Sequence, residues 1–185
     1  MRAQLLNATR LLVEEKGPDR FSISEACRAA GVSTAAPYRH FEDKREMLVA
    51  VAMEGMARLR DAMRSSLKGY KRGSIDGISA MGVAYVHFAQ REPGVFRLMF
   101  GLTRDHGKHE AMMALGHETF GVLLSELAAY MGKGDVDDEV TRRGFALWTT
   151  VHGMSFLLID DKVDVIQFPV EMDALIHEMT VRLLA

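Results

Sequence analysis

Apolar residues along this chain recur at intervals of three and four, and no convincing run of strict alternation appears. That is the period of an α-helix with one face turned inward, not of a half-buried strand. Leu5, Ala8 and Leu12, flanked by Leu6, Thr9 and Val13, form a first stripe that stops at Gly17-Pro18, a helix-ending pair. Short helices are expected near 22–30 and 33–40. A longer one starts near Asp43 and carries Met47, Leu48, Val51, Met56, Leu59 and Met63 towards Lys68-Gly69. Further helices are expected at about 74–91, 93–102, 108–131, 136–160 and 170–184, with loops at 103–108 and 132–135. The pattern predicts an all-α protein in which a small N-terminal module leads directly into a larger bundle.

The most informative stretch is Phe21-Ser22-Ile23-Ser24-Glu25-Ala26-Cys27-Arg28-Ala29-Ala30-Gly31-Val32-Ser33-Thr34-Ala35-Ala36-Pro37-Tyr38-Arg39-His40-Phe41. Ser22 and Glu25 have the S-x-x-E spacing of a capping box, in which each side chain satisfies an orphan backbone N–H at a helix start. Phe21 precedes them, placed to pack on Ala26 as a hydrophobic staple. Ile23, Ala26, Cys27 and Ala30 line one face, and Gly31 can take the left-handed conformation that turns the chain sharply. Val32 plugs the space between two helices, and Ser33 can cap the second.

Two short capped helices joined at a glycine form a helix-turn-helix, whose second helix enters the DNA major groove by its N-terminal residues. Thr34 is small and polar, and the methyl groups of Ala35 and Ala36 suit contact with a thymine methyl. Tyr38, Arg39 and His40 can donate to phosphate, or in the case of Arg39 to a guanine edge. Ser22 and Lys44 lie at flanking helix starts, where hydroxyl, ammonium and backbone N–H groups suit phosphate. The alternative is an αα-hairpin that only packs within a bundle. Such a pair has no need of Tyr-Arg-His together at its end.

Charge supports this division of labour weakly. The net charge of −2 argues against a strongly basic nucleic-acid binder, but residues 1–72 carry 14 Lys and Arg against 9 Asp and Glu, whereas residues 73–185 carry 9 against 16. With 185 residues, 48% of them hydrophobic, the chain can build one good core or a small module attached to a larger one. One cysteine, Cys27, excludes an internal disulfide framework and disfavours a thiolate metal site. No run of 18 or more apolar residues is present, so no membrane span is expected. Met1-Arg2-Ala3-Gln4 runs into a mixed pattern unlike a secretory signal, and the expected compartment is the cytoplasm.

Gly31-Val32-Ser33, then Tyr38-Arg39-His40-Phe41, then Lys44 before Met47-Leu48, resemble in order and spacing the N-terminal signature of the tetracycline-repressor (TetR) family of bacterial regulators. The resemblance covers about residues 4–50. Position by position, it implies phosphate contacts from Ser22, Tyr38, His40 and Lys44. It implies base contact or proximity from Ser24, Thr34, Ala35 and Arg39, with Ser33 beside them at the start of the recognition helix. Pro37 departs from the pattern, since the family more often has leucine there. Proline removes a backbone donor and disfavours a helical Ala36, so an altered first turn of the recognition helix is expected.

Beyond residue 72 there is no G-x-S-x-G, no H-E-x-x-H and no glycine-rich phosphate loop, so no enzyme and no cofactor are expected. A small helical hydrolase using His117 or His152 is the rival from another class, and it lacks a positioned nucleophile. The segment is rich in aromatic and apolar residues: Tyr85, Phe88, Phe96, Met99, Phe100, Met112, Met113, Phe120, Phe145, Trp148 and Phe156. Most of these suit a core, but the 13 methionines of the chain also suit an adaptable apolar cavity.

Trp148-Thr149-Thr150-Val151-His152-Gly153, with Arg91-Glu92-Pro93-Gly94-Val95-Phe96-Arg97-Leu98-Met99-Phe100, is similar to a WHG-type C-terminal subgroup of the same family. That resemblance implies a small effector bound among the middle helices and pairing through the last two. The expected pocket residues are Tyr85, Phe88, Phe96, Met99, Phe100, Met113, His117, Phe120, Trp148 and His152, with His87 a further polar candidate. Small residues at Gly144, Ala146, Gly153 and Ser155, with Met172, Leu175, Ile176, Met179 and Leu183, would form a four-helix dimer interface. A metal cluster of His106, His109, Glu110 and His117 is disfavoured by its loop spacing.

The expected protein is therefore a homodimeric DNA-binding regulator, residues 1–46 reading a palindromic operator and residues 47–185 binding an effector and pairing. A regulator with no effector, its cavity filled by core, is the alternative.

Overall fold

α1 forms over Arg2–Lys16 by turning Leu5, Leu6, Ala8, Thr9, Leu12 and Val13 to one buried side. Thr9 is tolerated there because its hydroxyl donates to the Leu5 carbonyl at 2.8 Å. The helix stops at Gly17, whose φ of 80° suits a residue without Cβ. The structure, a computed structural model, describes residues 1–102, 110–163 and 171–185. The loop expected at 103–108, with His106 and His109, lies outside the described residues.

Among the described residues the regular structure is helical throughout, as the apolar period predicts. After α1 come α2 (Ile23–Ala30), a short 3-10 helix (Pro37–Arg39), α3 (Lys44–Ser66), α4 (Ile75–Arg91) and α5 (Pro93–Gly101). They are followed by α6 (Glu110–Tyr130), α7 (Asp138–Ile159) and α8 (Met172–Leu184). None of the described helices is long and apolar enough to cross a membrane. One expectation fails at this level: residues 33–40 do not form an α-helix.

The chain divides into two compact units, residues 1–57 with 92–115, and residues 58–91 with 116–185. The functional boundary expected at 46/47 falls inside α3, within the first of them. In the first unit α1 packs on α2 and α5. The Glu14 carboxylate accepts the N–H groups of Gly94 and Val95 at 2.8 and 2.9 Å, filling the start of α5, where Pro93 has no N–H to offer. Gly94 is required for that approach, because a Cβ there would lie 2.6 Å from the Val13 carbonyl oxygen.

In the second unit α4 packs on α7 and α8, which also pack on each other. Ile78, Met81, Tyr85, Val86 and Phe88 of α4 are buried. Asp137 caps α7 by accepting the Val140 N–H at 2.9 Å. Lys133 meets both Asp137 and Glu139 at 2.7 Å, tying the preceding loop to the helix it introduces.

Candidate functional site

α2 is built by local chemistry. The Ser22 hydroxyl accepts the Glu25 N–H at 3.2 Å, and the Glu25 carboxylate accepts the Ser22 N–H at 2.8 Å, completing the capping box. Phe21 and Ala26 are both buried beside it. At the other end Gly31 (φ 66°, ψ 31°) is left-handed. Its N–H reaches the Arg28 carbonyl at 3.2 Å, and that of Val32 reaches Cys27 at 3.0 Å. These two bonds are a Schellman stop. The Ser22 N–H, the Lys16 ammonium at 3.0 Å and the Ser22 hydroxyl together hold the Glu25 carboxyl down to a pKa of about 2.

The following segment departs from an α-helix for a reason visible at Pro37. An α-helical turn would need a residue 37 N–H on the Ser33 carbonyl, and proline has none. The Ser33 carbonyl instead accepts from Ala36 at 3.0 Å, Arg39 donates to Ala36 at 3.3 Å, and His40 donates to Pro37 at 2.8 Å. Only Phe41, which reaches Pro37 at 2.9 Å, makes the α-type spacing. Ser33 therefore opens a turn rather than capping a second α-helix.

Ala36, Pro37 and Phe41 are buried and anchor the segment, so the Ala36 methyl is not available to DNA as expected. Ser33, Thr34, Ala35, Tyr38, Arg39 and His40 are not buried, and Tyr38 is exposed by 65%. Ser24 lies on α2, clear of the core.

Two further expected phosphate contacts are engaged inside the protein. Lys44 donates to the carbonyls of Phe21 and Asp19 at 2.7 and 3.2 Å and stands 4.3 Å from the centre of the Phe21 ring. It clasps the start of α3 to the chain entering α2. The Ser22 hydroxyl lies 3.2 Å from the Glu25 carboxylate as well as serving its cap. At the start of α3, Asp43 accepts the Glu46 N–H at 2.8 Å, while Glu46 reaches back to the N–H of Glu42. Both helix starts flanking the turn thus already hold a carboxylate, which occupies N–H groups that would otherwise be open to an anion. The sequence shows these carboxylates, but their consequence for phosphate is legible only with the caps in place.

In the second unit Tyr85, Trp148 and His152 form a bonded cluster. The Trp148 indole N–H donates to the Tyr85 oxygen at 3.2 Å, and the Tyr85 hydroxyl lies 2.8 Å from His152 Nδ1. The Tyr85 oxygen thus bridges the indole, which only donates, and the imidazole of His152. Burial lowers the His152 pKa, and burial also pushes the Tyr85 phenol far above its usual range, against the lowering effect of the Trp148 bond. The cluster is therefore polar and neutral.

Phe145, Trp148, His152 and Phe156 stack along α7, with ring centres 5.9, 5.3 and 5.1 Å apart, and Phe120 of α6 stands 5.8 Å from Trp148. The i, i+3, i+7, i+11 spacing of those four is readable in the sequence, yet Phe145 and Phe156 are absent from the expected pocket set.

Other expected pocket residues fall elsewhere. Phe88 is core of the second unit; Phe96 and Met99 are fully buried in the first, where Phe100 lies 4.9 Å from Phe96. Met113 and His117 are exposed on α6. His87 is not on an apolar face: it meets Asp173 at 3.0 Å at an open cleft of about 690 Å3. Among the described residues no group of three or more His, Cys, Asp and Glu is placed to hold a metal.

The expected pairing surface also needs redrawing. Gly144 is buried against Leu124 and Leu127, Ser155 is buried with its hydroxyl on the Val151 carbonyl, and Ile176 is 1% exposed. All three serve this chain's own core. Exposed on α7 instead is the stripe Phe145, Thr149, Gly153 and Leu157, with Val181 exposed on α8.

The chain is similar to known proteins in sequence and in fold. A family model for bacterial regulatory proteins of the tetR family matches residues 5–51, and one for a tetracyclin repressor-like C-terminal domain matches residues 78–183. Over 70% of its length the chain is 29% identical to an uncharacterised HTH-type transcriptional regulator of Haemophilus influenzae, covering 62% of that protein. The chain spans less than two thirds of the curated relatives it matches. A protein of unknown function from a Rhodococcus species superposes with a TM-score of 0.85 at 25% identity, over 99% of this chain and 93% of that one. The TetR family regulator PfmR from Thermus thermophilus has the same fold, with a TM-score of 0.67 at 20% identity, over 98% of this chain and 96% of the other.

Proposed function

This chain belongs to the tetracycline-repressor family, and we propose that it is a DNA-binding transcriptional regulator, a repressor bound to a palindromic operator as a homodimer and released by a small-molecule effector. The observation that carries the reading is the exposed run Thr34, Ala35, Tyr38, Arg39 and His40, held out from the buried anchors Ala36, Pro37 and Phe41. Tyr38, Arg39 and His40 meet phosphate and base edges, Thr34 and Ala35 meet bases, and Ser24 and Ser33 flank them. Lys44 and Ser22 act chiefly by holding α2 and α3, with one ammonium N–H of Lys44 left for a phosphate.

Two copies would pair through the exposed stripe Phe145, Thr149, Gly153 and Leu157 of α7 and through Val181 of α8. That pairing sets two recognition segments into major grooves one turn or a multiple apart. The effector site is centred on Tyr85, Trp148, His152 and Phe120, where a neutral polar cluster sits among ring faces. A ligand there shifts the operator-bound population only by its difference in affinity for the two states. α3, which contributes residues to both units, is the element that carries the shift.

The test is selection of bound duplexes from a randomised pool, with Tyr38→Ala as control. An enriched palindrome that the control binds more weakly supports the reading. Affinity for that palindrome unchanged by Tyr38→Ala would remove Tyr38 from the interface. An effector that binds tightly and leaves operator affinity unchanged would overturn the release mechanism.

A further inference from the structure

The reading segment is an i→i+3 structure, and its geometry decides which base pairs its side chains meet. From Ser33 to His40 the backbone bonds run Ala36 to Ser33, Arg39 to Ala36 and His40 to Pro37. The 3-10 helix proper is Pro37–Arg39. A chain in this pattern advances about 2.0 Å and turns about 120° per residue, against about 1.5 Å and 100° in an α-helix. Over the three residues Pro37–Arg39 the difference sums to about 1.5 Å of advance and about 60° of rotation. Successive bases on one strand are about 3.4 Å apart. The change is nearly half of one base-pair step, enough to move a side chain end from one base edge towards the next.

We infer that Pro37 is the specificity-determining residue of this DNA reader, a positioning residue that touches no base. By withholding the N–H that an α-helix would place on the Ser33 carbonyl, it holds Thr34 and Arg39 in a register set by the i→i+3 ladder. Burial of Pro37 and of its neighbour Ala36 keeps the ladder in place, while Thr34, Ala35 and Arg39 stay exposed on either side. A leucine or alanine at 37 restores the missing donor and lets the segment wind as an α-helix. Arg39 then swings towards a different base pair while Thr34, next to the fixed Schellman turn at Gly31, stays where it was. This inference rests on residues 33–41 being the DNA-reading segment.

The experiment selects duplexes from a randomised pool with the wild-type chain, Pro37→Leu and Pro37→Ala, and then titrates all three with each winning duplex at one salt concentration. Leucine fills the buried site, and alanine serves if leucine lowers the unfolding midpoint. The expected result is a winning sequence that changes at the positions facing Arg39 and keeps those facing Thr34. The Kd ratio for the two duplexes should invert by about tenfold or more, the discrimination one good base contact supplies. The comparison is of Kd ratios at that one salt concentration, so a loss of affinity common to both duplexes, as when Tyr38 and His40 move off their phosphates, does not enter it. Folded variants that select the wild-type duplex and bind it within about twofold would overturn the register argument alone. A wild-type chain that enriches no sequence would overturn the DNA-reading assignment, and this inference with it.

Discussion

The chain from Phe21 to Lys44 and the cluster at Tyr85, Trp148 and His152 both present polar groups among aromatic ones, and they are held in opposite ways. In the first, the bonds that shape the backbone are short in sequence: Ser22 with Glu25, Gly31 with Arg28, Ala36 with Ser33. Tyr38, Arg39 and His40 are left in solvent. In the second, the bonds join residues more than sixty positions apart, and the polar atoms are spent on one another inside the unit. Donors left in solvent stay open to a partner, whereas donors bonded to one another across helices hold their own unit together. Substitution in the first should therefore alter binding with little change in stability, and substitution in the second should alter stability first.

The strongest test of the second half is Tyr85→Phe. Removing the hydroxyl leaves the Trp148 N–H without this acceptor and takes a hydrogen-bond partner from His152. For these half-buried groups the loss amounts to about 1 kcal/mol, the low end for an unsatisfied donor, and each kcal/mol lowers the unfolding midpoint of a chain this size by about 2–4 °C. Operator affinity in the absence of effector should be unchanged. An unaltered midpoint would mean that the cluster is not held by its own bonds and that the contrast with the reading segment is false.

Lys44→Ala sharpens the comparison because Lys44 belongs to the first region by position and to the second by behaviour. Its ammonium binds carbonyls 23 and 25 residues away and stands over the Phe21 ring. For a half-buried charge, charge-assisted hydrogen bonds of this kind amount to about 1 kcal/mol after screening by solvent. The expected outcome is a lower midpoint together with weaker DNA binding, and Lys44→Arg restoring only part of either. Weaker DNA binding at an unchanged midpoint would return Lys44 to a plain phosphate contact.

Tyr38→Ala is the opposite case. Its side chain is exposed, so its removal should change stability by no more than about 0.5 kcal/mol. Binding to every duplex should weaken alike, and the salt slope should stay that of the wild type, because an uncharged phenol releases no counterion from the phosphate it meets. Weakening confined to some sequences would make Tyr38 a base contact instead.

How much of this is readable from residues alone follows the same divide. The capping box at Ser22 and Glu25, the left-handed Gly31 and the missing donor of Pro37 are local features, and the sequence states each of them. What it does not state is the outcome of competition. The residue type at Pro37 predicts an altered turn, and in the fold it removes the α-helix over 33–40 altogether. The position of Lys44 points to phosphate, yet its ammonium finds two carbonyls, because folding brings Asp19 and Phe21 to it. The pairing of Tyr85 with His152 and Trp148 depends on how α4 packs on α7, which no spacing within either helix encodes. Gly144, a small residue suited to a close helix approach, does make one, to Leu124 and Leu127 of its own chain, and the buried Ser155 bonds Val151 in its own helix.

Glu25→Gln separates charge from hydrogen bonding, and its expected effect on DNA is the smallest. Glutamine can still complete a capping box, so the variant removes the charge and keeps the geometry. The Glu25 carboxyl is held at about 2 in the folded chain, by the Ser22 N–H first and by Lys16 next, against an ordinary value of 4.5. A folded pKa below the unfolded one means that the ionised carboxylate favours folding above about pH 4.5, and that this contribution is lost as pH falls towards 2. Midpoints of wild type and variant should therefore differ at neutral pH and converge by about pH 2. A difference that does not vary with pH would place the effect in packing rather than in charge. At neutral pH the same substitution should act on DNA with the opposite sign. The carboxylate stands at a helix start flanking the reading segment, where it repels phosphate. Its neutralisation should tighten binding to all duplexes alike, by a few-fold at low salt and less as salt screens it. A variant less stable yet tighter on DNA would locate the local, outward-facing half of the comparison at a single side chain.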